Sequence, residues 1–381
     1  MKLKLSYSEL NSALGMSSII LSDKIVDEKL KNVIFMIKKG VVNICFYNAL
    51  TFCRTELENA EVSQEEGKED WIFQVKASDL SKLLSGFSSL YKTEVEKIEF
   101  EEERSKVKVS VTEKALKEED SRLSQVSVFH LDNVPLLDSV EKDIKMEFPQ
   151  DPEIIFKGDL DLYMSSLLPL MNSASNLESK LNFSEDYVFV IAAYMCVFFK
   201  NKLPDQMKNM TLGYSSVSLI KRLCDINESS DILVKKTDLY LCMRAGSTEA
   251  FMRHQPVKVR HKQYISMFSK DNGVMLNRLY FKDVLKRMGN MSTDSSLKIL
   301  ENGDINVENQ TFSQVIPVEK VKGEVSDVGF KITVSVIEKL LVGKDTLFPE
   351  NVFMYIKKAG SGYALFFADK TGSWFSMTQV R

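Results

Sequence analysis

The chain changes its hydrophobic period six times in the same way. Residues 329–343, GFKITVSVIEKLLVG, alternate as a strand through Phe330, Ile332 and Val334, then take helical spacing at Val336, Ile337, Leu340 and Leu341. The same switch occurs at KLKLSYSELNSALG (2–15), WIFQVKASDLSKLLSGF (71–87), EIIFKGDLDLYMSSLLPLM (153–171), MTLGYSSVSLIKRLCDI (210–226) and VMLNRLYFKDVLKRMGN (274–290). The intervals run from roughly 55 to 80 residues, which marks an internal repeat. Ser6, Ser78 and Ser215 are expected as N-caps where the helices begin.

Strands follow the helices. NVIFMIKKG, VVNICFYN and TFCRTELE come after the first, and VEKIEFEEER, SKVKVSVTE and SQVSVFHL after the second. DILVKKTD, LYLCMRAG and TEAFMRHQPV come after the fourth, and NVFMYIKKAG, GYALFFADKT and SWFSMTQV after the last. Turn signals such as KKG and KAGSG separate them, so the repeat is βαβββ. A unit averaging about 64 residues rarely stands alone. Two side by side would form a domain with two helices on antiparallel sheets. The expected fold is α+β, with three domains at 1–147, 148–262 and 263–381 and joints in DSVEKDIKMEFPQDPE and QPVKVRHKQY.

No apolar run approaches the ~20 residues of a membrane span, and MKLKLSYSEL alternates like a strand rather than forming the apolar core of a signal peptide. A soluble, cytoplasmic protein is expected. Cys45, Cys53, Cys196, Cys224 and Cys242 lack C-x-x-C spacing and sit among apolar residues, as reduced core cysteines do. The net charge of −3 and pI of about 5.9 exclude a protein that coats nucleic acid with its whole surface, and leave room for a local basic strip. His130, His254 and His261 form no recognisable triad or metal cluster. GEVSDVGFK and GKDT lack phosphate-loop spacing, and no paired acids lie within an apolar run. No catalytic residue, metal or cofactor is expected.

In length and arrangement the chain resembles the bacterial-type β sliding clamps, the processivity rings of replicative DNA polymerases. The likeness spans the whole chain as architecture. It is best where VSVIEKLL resembles the family's last-domain helix, DKTGSWFSMTQVR its last strand and tail, and SVFHLDNVPLLDSV the strand leading to its first interdomain link. Where the family's second domain carries a Thr-Asp-Gly-His-Arg-Leu run, this chain reads VIAAYMCVFF, which implies a divergent, bacteriophage-type member. The resemblance implies a homodimeric ring around double-stranded DNA, joined through strands of the first and third domains, loaded by a clamp loader ATPase and tethering the replicative DNA polymerase. No membrane is involved.

In such a ring the helices line the pore. Apolar stripes at Val217, Ile220 and Leu223, and at Phe281, Val284, Leu285 and Met288, leave Lys221, Arg222, Lys282, Lys286 and Arg287 on open faces. Lys82, Lys339 and Lys24 add to these as candidate phosphate contacts, which would be nonspecific in sequence. Solvated helix faces would look the same. Position in the family points to a partner groove at Tyr194, Val197, Val336, Met377, Thr378, Gln379, Val380 and Arg381, with Tyr264 and Met267 beside it. Val336 and Met377 fit a core equally well. The rival functions are a non-catalytic structural or interaction protein built from repeats, such as a virion component, and an enzyme with a composite site.

Overall fold

A computed structural model of the chain describes residues 1–21, 30–63, 70–87, 93–117, 122–171, 180–192, 195–226, 229–259, 261–268, 270–291, 294–325, 328–341, 349–359 and 362–380. At each of the six switches a strand runs into a helix. The first repeat is β1 (Lys2–Leu5), α1 (Tyr7–Leu21), β2 (Asn32–Lys38), β3 (Val41–Asn48) and β4 (Thr51–Glu56), with a short β5 (Glu61–Ser63) after it. The second is β6 (Asp70–Lys76), α2 (Ala77–Ser85), β7 (Thr93–Glu103), β8 (Lys106–Ala115) and β9 (Gln125–Asp132), then a connecting helix α3 (Asp138–Ile144). The third is β10 (Glu153–Phe156), α4 (Lys157–Met171), β11 (Leu181–Phe183), β12 (Tyr187–Ala192) and β13 (Met195–Lys200). The fourth is β14 (Met210–Leu212), α5 (Tyr214–Ile226), β15 (Asp231–Lys236), β16 (Tyr240–Ala245) and β17 (Thr248–Arg253), then a connecting helix α6 (Lys262–Met267). The fifth is β18 (Gly273–Asn277), α7 (Arg278–Gly289), β19 (Asp294–Ile299), β20 (Ile305–Glu308) and β21 (Ser313–Ile316), with a short β22 (Lys320–Lys322). The sixth is β23 (Gly329–Thr333), α8 (Val334–Leu340), β24 (Asn351–Ala359), β25 (Gly362–Ala368) and β26 (Trp374–Val380).

Local chemistry explains these boundaries. Lys39 and Gly40 both have positive φ, 51° and 83°, as the two-residue turn of the β2–β3 hairpin requires. Ser6 caps α1 by accepting from the Glu9 N–H at 3.2 Å, and Asn277 caps α7 by accepting from the Tyr280 N–H at 2.9 Å. Ser78 and Ser215 do not cap. Their helices start one residue earlier, at Ala77 and Tyr214, so both serines already lie in the first turn.

The strands pair in an exchanged pattern. The sheet orders are β5-β1-β7-β8-β9, β10-β15-β16-β17-β4-β3-β2-β6, β14-β11-β12-β13-β26-β25-β24-β18-β22 and β21-β20-β19-β23. The first strand of each repeat therefore joins the three later strands of its neighbour. Compactness divides the chain into two units, Met1–Ile154 with Ser218–Arg253, and Ile155–Val217 with His254–Arg381. No described helix is long and apolar enough to cross a membrane.

In the first unit, β17 continues the sheet onto β4, with Arg54 opposite Glu249 and Phe52 opposite Phe251. The Glu249 carboxylate accepts from Arg54 Nε at 2.7 Å and from Arg244 Nε at 2.8 Å. Helix α3 lies across this junction, its Val140 and Ile144 packed with Ile34, Phe52 and Phe251. In the second unit, β13 continues onto β26, where Phe198 and Phe375 stack at 4.8 Å. Helix α6 and Phe268 cover that junction, and the Phe268 ring lies flat on Phe375, 4.7 Å and 5° away.

Each repeat ends in a strand, and four of these six pair in the two junctions, β4 with β17 and β13 with β26. Among the described residues, β9 and β21 instead end their sheets. Their side chains differ accordingly. Val126 and Val128 on β9 are 60% and 49% exposed and Val315 on β21 is 48% exposed, whereas Phe52 and Phe251 are 1% exposed.

Candidate functional site

Two features of the second unit position a cleft. Ser376 of β26 donates through Oγ to the Leu340 carbonyl at 2.9 Å, fixing the end of α8 on the sheet. Arg278, 1% exposed at the start of α7, donates through Nη1 to the Leu341 carbonyl and through Nε to the Pro349 carbonyl, each at 3.4 Å. A cation at the C-terminal end of α8 also suits the helix dipole. The other end of α8 opens on a cleft of about 1550 Å³.

The cleft is apolar at Val336, Ile337, Tyr363 and Val380, and polar at Asp294, Glu308 and Lys331. Such a lining can hold apolar side chains of an extended peptide and fix their direction by a few polar contacts. Val336, Thr378, Gln379 and Val380 all line it. Val197 is buried opposite Ser376, so it lies on the α8 face of the sheet but beneath the helix. Met377 turns to the other face, into a core with Phe189, Phe198 and Phe366. Tyr264 and Met267 pack on that same core from α6, because the linker lies across the junction rather than standing off it. Tyr194 and Arg381 lie outside the described residues.

The cations differ in their surroundings. Lys82 on α2 and Lys286 on α7 are exposed, opposite the buried stripes Leu80, Leu83, Leu84 and Phe281, Val284, Leu285. Arg287 is exposed and pairs with Asp283 one turn away at 3.6 Å, while Lys282 and Lys339 are half-buried. Lys221 pairs with Asp225 on α5. Arg222 is drawn into a helix contact, its guanidinium 3.2 Å from where a side chain on Gly15 of α1 would begin. Glycine at that position leaves the arginine room. Lys24 lies outside the described residues. Between Tyr7 and Leu21, α1 carries no Lys or Arg, and α4 sets Lys157 against Asp159 and Asp161, so α5 and α7 hold most of the helical positive charge.

Three features went unseen in the sequence. The exposed edges β9 and β21 carry Val126, Val128 and Val315, and Leu279 and Tyr280 stand 39% and 40% exposed at the start of α7 beside β21. Gln314 of β21 donates to the Tyr280 hydroxyl at 2.8 Å. The third is Arg278, a cation buried at the start of α7. A signal was present in SQVSVFHL, where the outward positions of an alternating strand are valines. Among the described residues, no group of three or more His, Cys, Asp or Glu could hold a metal.

No protein-family model matches the chain, and no curated protein does. Solved structures do. A DNA polymerase III beta subunit from Eubacterium rectale aligns with TM-score 0.75 and 12% identity, covering 100% of this chain and 99% of that one. The DNA polymerase III beta subunit of Thermotoga maritima aligns with TM-score 0.71 and 15% identity, over 100% and 99%. The DNA polymerase sliding clamp of Bacillus subtilis aligns with TM-score 0.73 and 12% identity, again over 100% and 99%. At such identities the likeness is one of architecture: this chain has the fold of the DNA polymerase III beta-subunit sliding clamps.

Proposed function

We propose that this protein is a DNA sliding clamp. Two copies close head to tail into a ring around double-stranded DNA and tether the replicative DNA polymerase, with an ATP-driven loader opening and placing the ring. The role is non-catalytic and belongs with replication in the cytoplasm, in a bacterial host for a phage-type member. Domains at 1–147, 148–262 and 263–381 each hold one pair of repeats. The observation that carries the reading is the count of repeat-ending strands: among the described residues four are joined within the chain, and β9 and β21 are left over. One leftover lies in the first pair of repeats and one in the last. A heterologous contact of this kind generates a ring when the rotation closes, and it covers two sheet edges that would otherwise invite aggregation.

DNA contact runs through Lys82, Lys282, Lys286, Arg287 and Lys339, with Lys221, Arg222 and Lys24 as weaker or supporting members. Such contacts neutralise phosphates without reading bases. The polymerase enters the cleft beside Val336, Thr378, Gln379 and Val380, which Val197, Met377, Tyr264 and Met267 support from the core, with Tyr194 and Arg381 at its margin. The test is retention on DNA. Clamp loaded on a nicked circular plasmid should stay bound through a high-salt wash and leave once the plasmid is linearised. Equal loss from both forms would refute encirclement. Light scattering should give twice the 43.4 kDa chain mass.

A further inference from the structure

We infer that the cleft beside α8 holds an extended peptide by its main chain, with Asn309 Nδ2 donating to the carbonyl and Ser295 Oγ accepting from the N–H of one residue of the incoming segment. The inference rests on the cleft reading above and names the chemistry of the cleft's polar end.

Register brings the two groups together. Leu297 of β19 lies opposite Val307 on β20 and Phe330 on β23, and all three are buried. Two residues toward the cleft, Ser295 lies opposite Ile332. The β19–β20 ladder, carried one step past its last pair of Ser296 with Glu308, sets Asn309 opposite Ser295 on the other side. Residues directly opposite share a face, with Cβ atoms about 4.5–5.5 Å apart. Ser295, Asn309 and Ile332 all line the cleft. An apolar row of the core thus gives way, where the cleft opens, to a row carrying a hydroxyl and an amide.

Both groups have bonding capacity left. Ser295 is 5% exposed, and among the described residues its Oγ has no hydrogen-bond partner. Asn309 Oδ1 accepts from the Thr311 N–H at 2.9 Å, the Thr311 hydroxyl at 3.1 Å and the Phe312 N–H at 2.9 Å, which fixes the amide's orientation. Its Nδ2 is buried and has no partner among the described residues. Buried polar groups are costly to leave unpaired, so a ligand that satisfies both is favoured. Nδ2 only donates, whereas a hydroxyl donates or accepts. An ammonium would meet the Nδ2 donor, and a carboxylate would meet two acids, Asp294 and Glu308, against one cation, Lys331. A side-chain primary amide brings one N–H too many. An extended residue presents one C=O and one N–H to the same side, which matches the pair. Val336, Ile337 and Val380 are then placed to receive the segment's alternate side chains.

The test starts from a random decapeptide library on phage, selected on the full chain and counter-selected on Val336→Glu, which puts a charge into the apolar end. The leading peptides are resynthesised with each amide in turn replaced by an ester, which deletes one N–H. One ester should weaken binding to the parent at least about tenfold, but binding to Ser295→Ala less than about twofold. Asn309→Asp keeps Oδ1 for the turn and loses the donor, so it should weaken every cleft peptide at least about tenfold whatever the peptide's sequence. Circular dichroism checks that each variant folds. If every ester is tolerated and both variants bind within about twofold of the parent, the main-chain anchor is wrong and the cleft survives. If the loss instead follows a glutamine or asparagine of the peptide, the site takes a side-chain amide and the inference falls. If no selected peptide depends on Val336, the cleft reading fails and takes the anchor with it.

Discussion

Replacing Glu249 with alanine removes a carboxylate shared by two guanidiniums at the β4–β17 junction. The side chains of Glu249 and Arg54 are 13% and 17% exposed, and that of Arg244 is 39% exposed. Breaking a fully buried pair costs about 3–5 kcal/mol because a charge is left uncompensated. Here water reaches Arg244, and Arg54 keeps its bond from Nη1 to the Met146 carbonyl at 2.8 Å. The cost should therefore fall to about 2–4 kcal/mol. A chain of several domains does not unfold in two states, so global denaturation would blur the effect. Hydrogen exchange at β4 and β17 reads it directly and should accelerate by about 30- to 1000-fold, since 1.4 kcal/mol is tenfold. Replacing the pair together, Arg54→Met with Glu249→Leu, should recover most of the loss, because packing then substitutes for a charge pair that was costly to desolvate. Exchange within about threefold of the parent in Glu249→Ala would refute the idea that this carboxylate holds the junction.

Reversing charge in Lys282→Glu/Lys286→Glu should weaken binding to linear duplex DNA and reduce the magnitude of the log–log salt slope by about 0.9 for each phosphate no longer neutralised; an unchanged slope would remove α7 from the DNA surface. Phe268→Ala should cost about 2 kcal/mol for a half-buried ring and release α6, which at six residues cannot persist unsupported; exchange protection retained in α6 would contradict this. Burial raises the Asp369 pKa, but hydrogen bonds from the Thr371 and Ser373 hydroxyls and the Trp374 N–H outweigh it and hold the carboxyl below its ordinary 3.8. Its folded value is the lower one, so its stabilisation is complete above the ordinary carboxylate range and is lost as the pH falls through and below that range. Asp369→Asn should flatten that acid limb in a pH series of melting temperatures, and an identical limb would exclude the role.

The six repeats were legible because a change from period two to period 3.6 is a local signal that survives without tertiary context. The cleft was legible only in part. Position brought out Val336, Thr378, Gln379 and Val380, but strand alternation alone does not say which face of β26 meets a helix, so Met377 went to the core. The connecting helices were hidden for a different reason. DSVEKDI and KQYISM read as polar links, and they hold helical form because Val140, Ile144 and Ile265 find apolar junctions beneath them. That β9 and β21 end their sheets was only faintly legible, through the outward valines of SQVSVFHL, since an edge strand and a paired one can share the same pattern.

The exchanged first strands make the two halves of each pair of repeats mutually obligate. β1 completes the sheet of β7, β8 and β9, and β6 completes that of β2, β3 and β4. A fragment holding one repeat thus lacks an outer strand of its own sheet and carries a stray strand meant for another. Cutting the backbone between Ser63 and Asp70 should leave two pieces that are each insoluble when made alone and that reassemble when made together. The same interlock makes gain or loss of a single repeat a poor evolutionary step, so a chain of this kind is expected to grow or shrink by pairs.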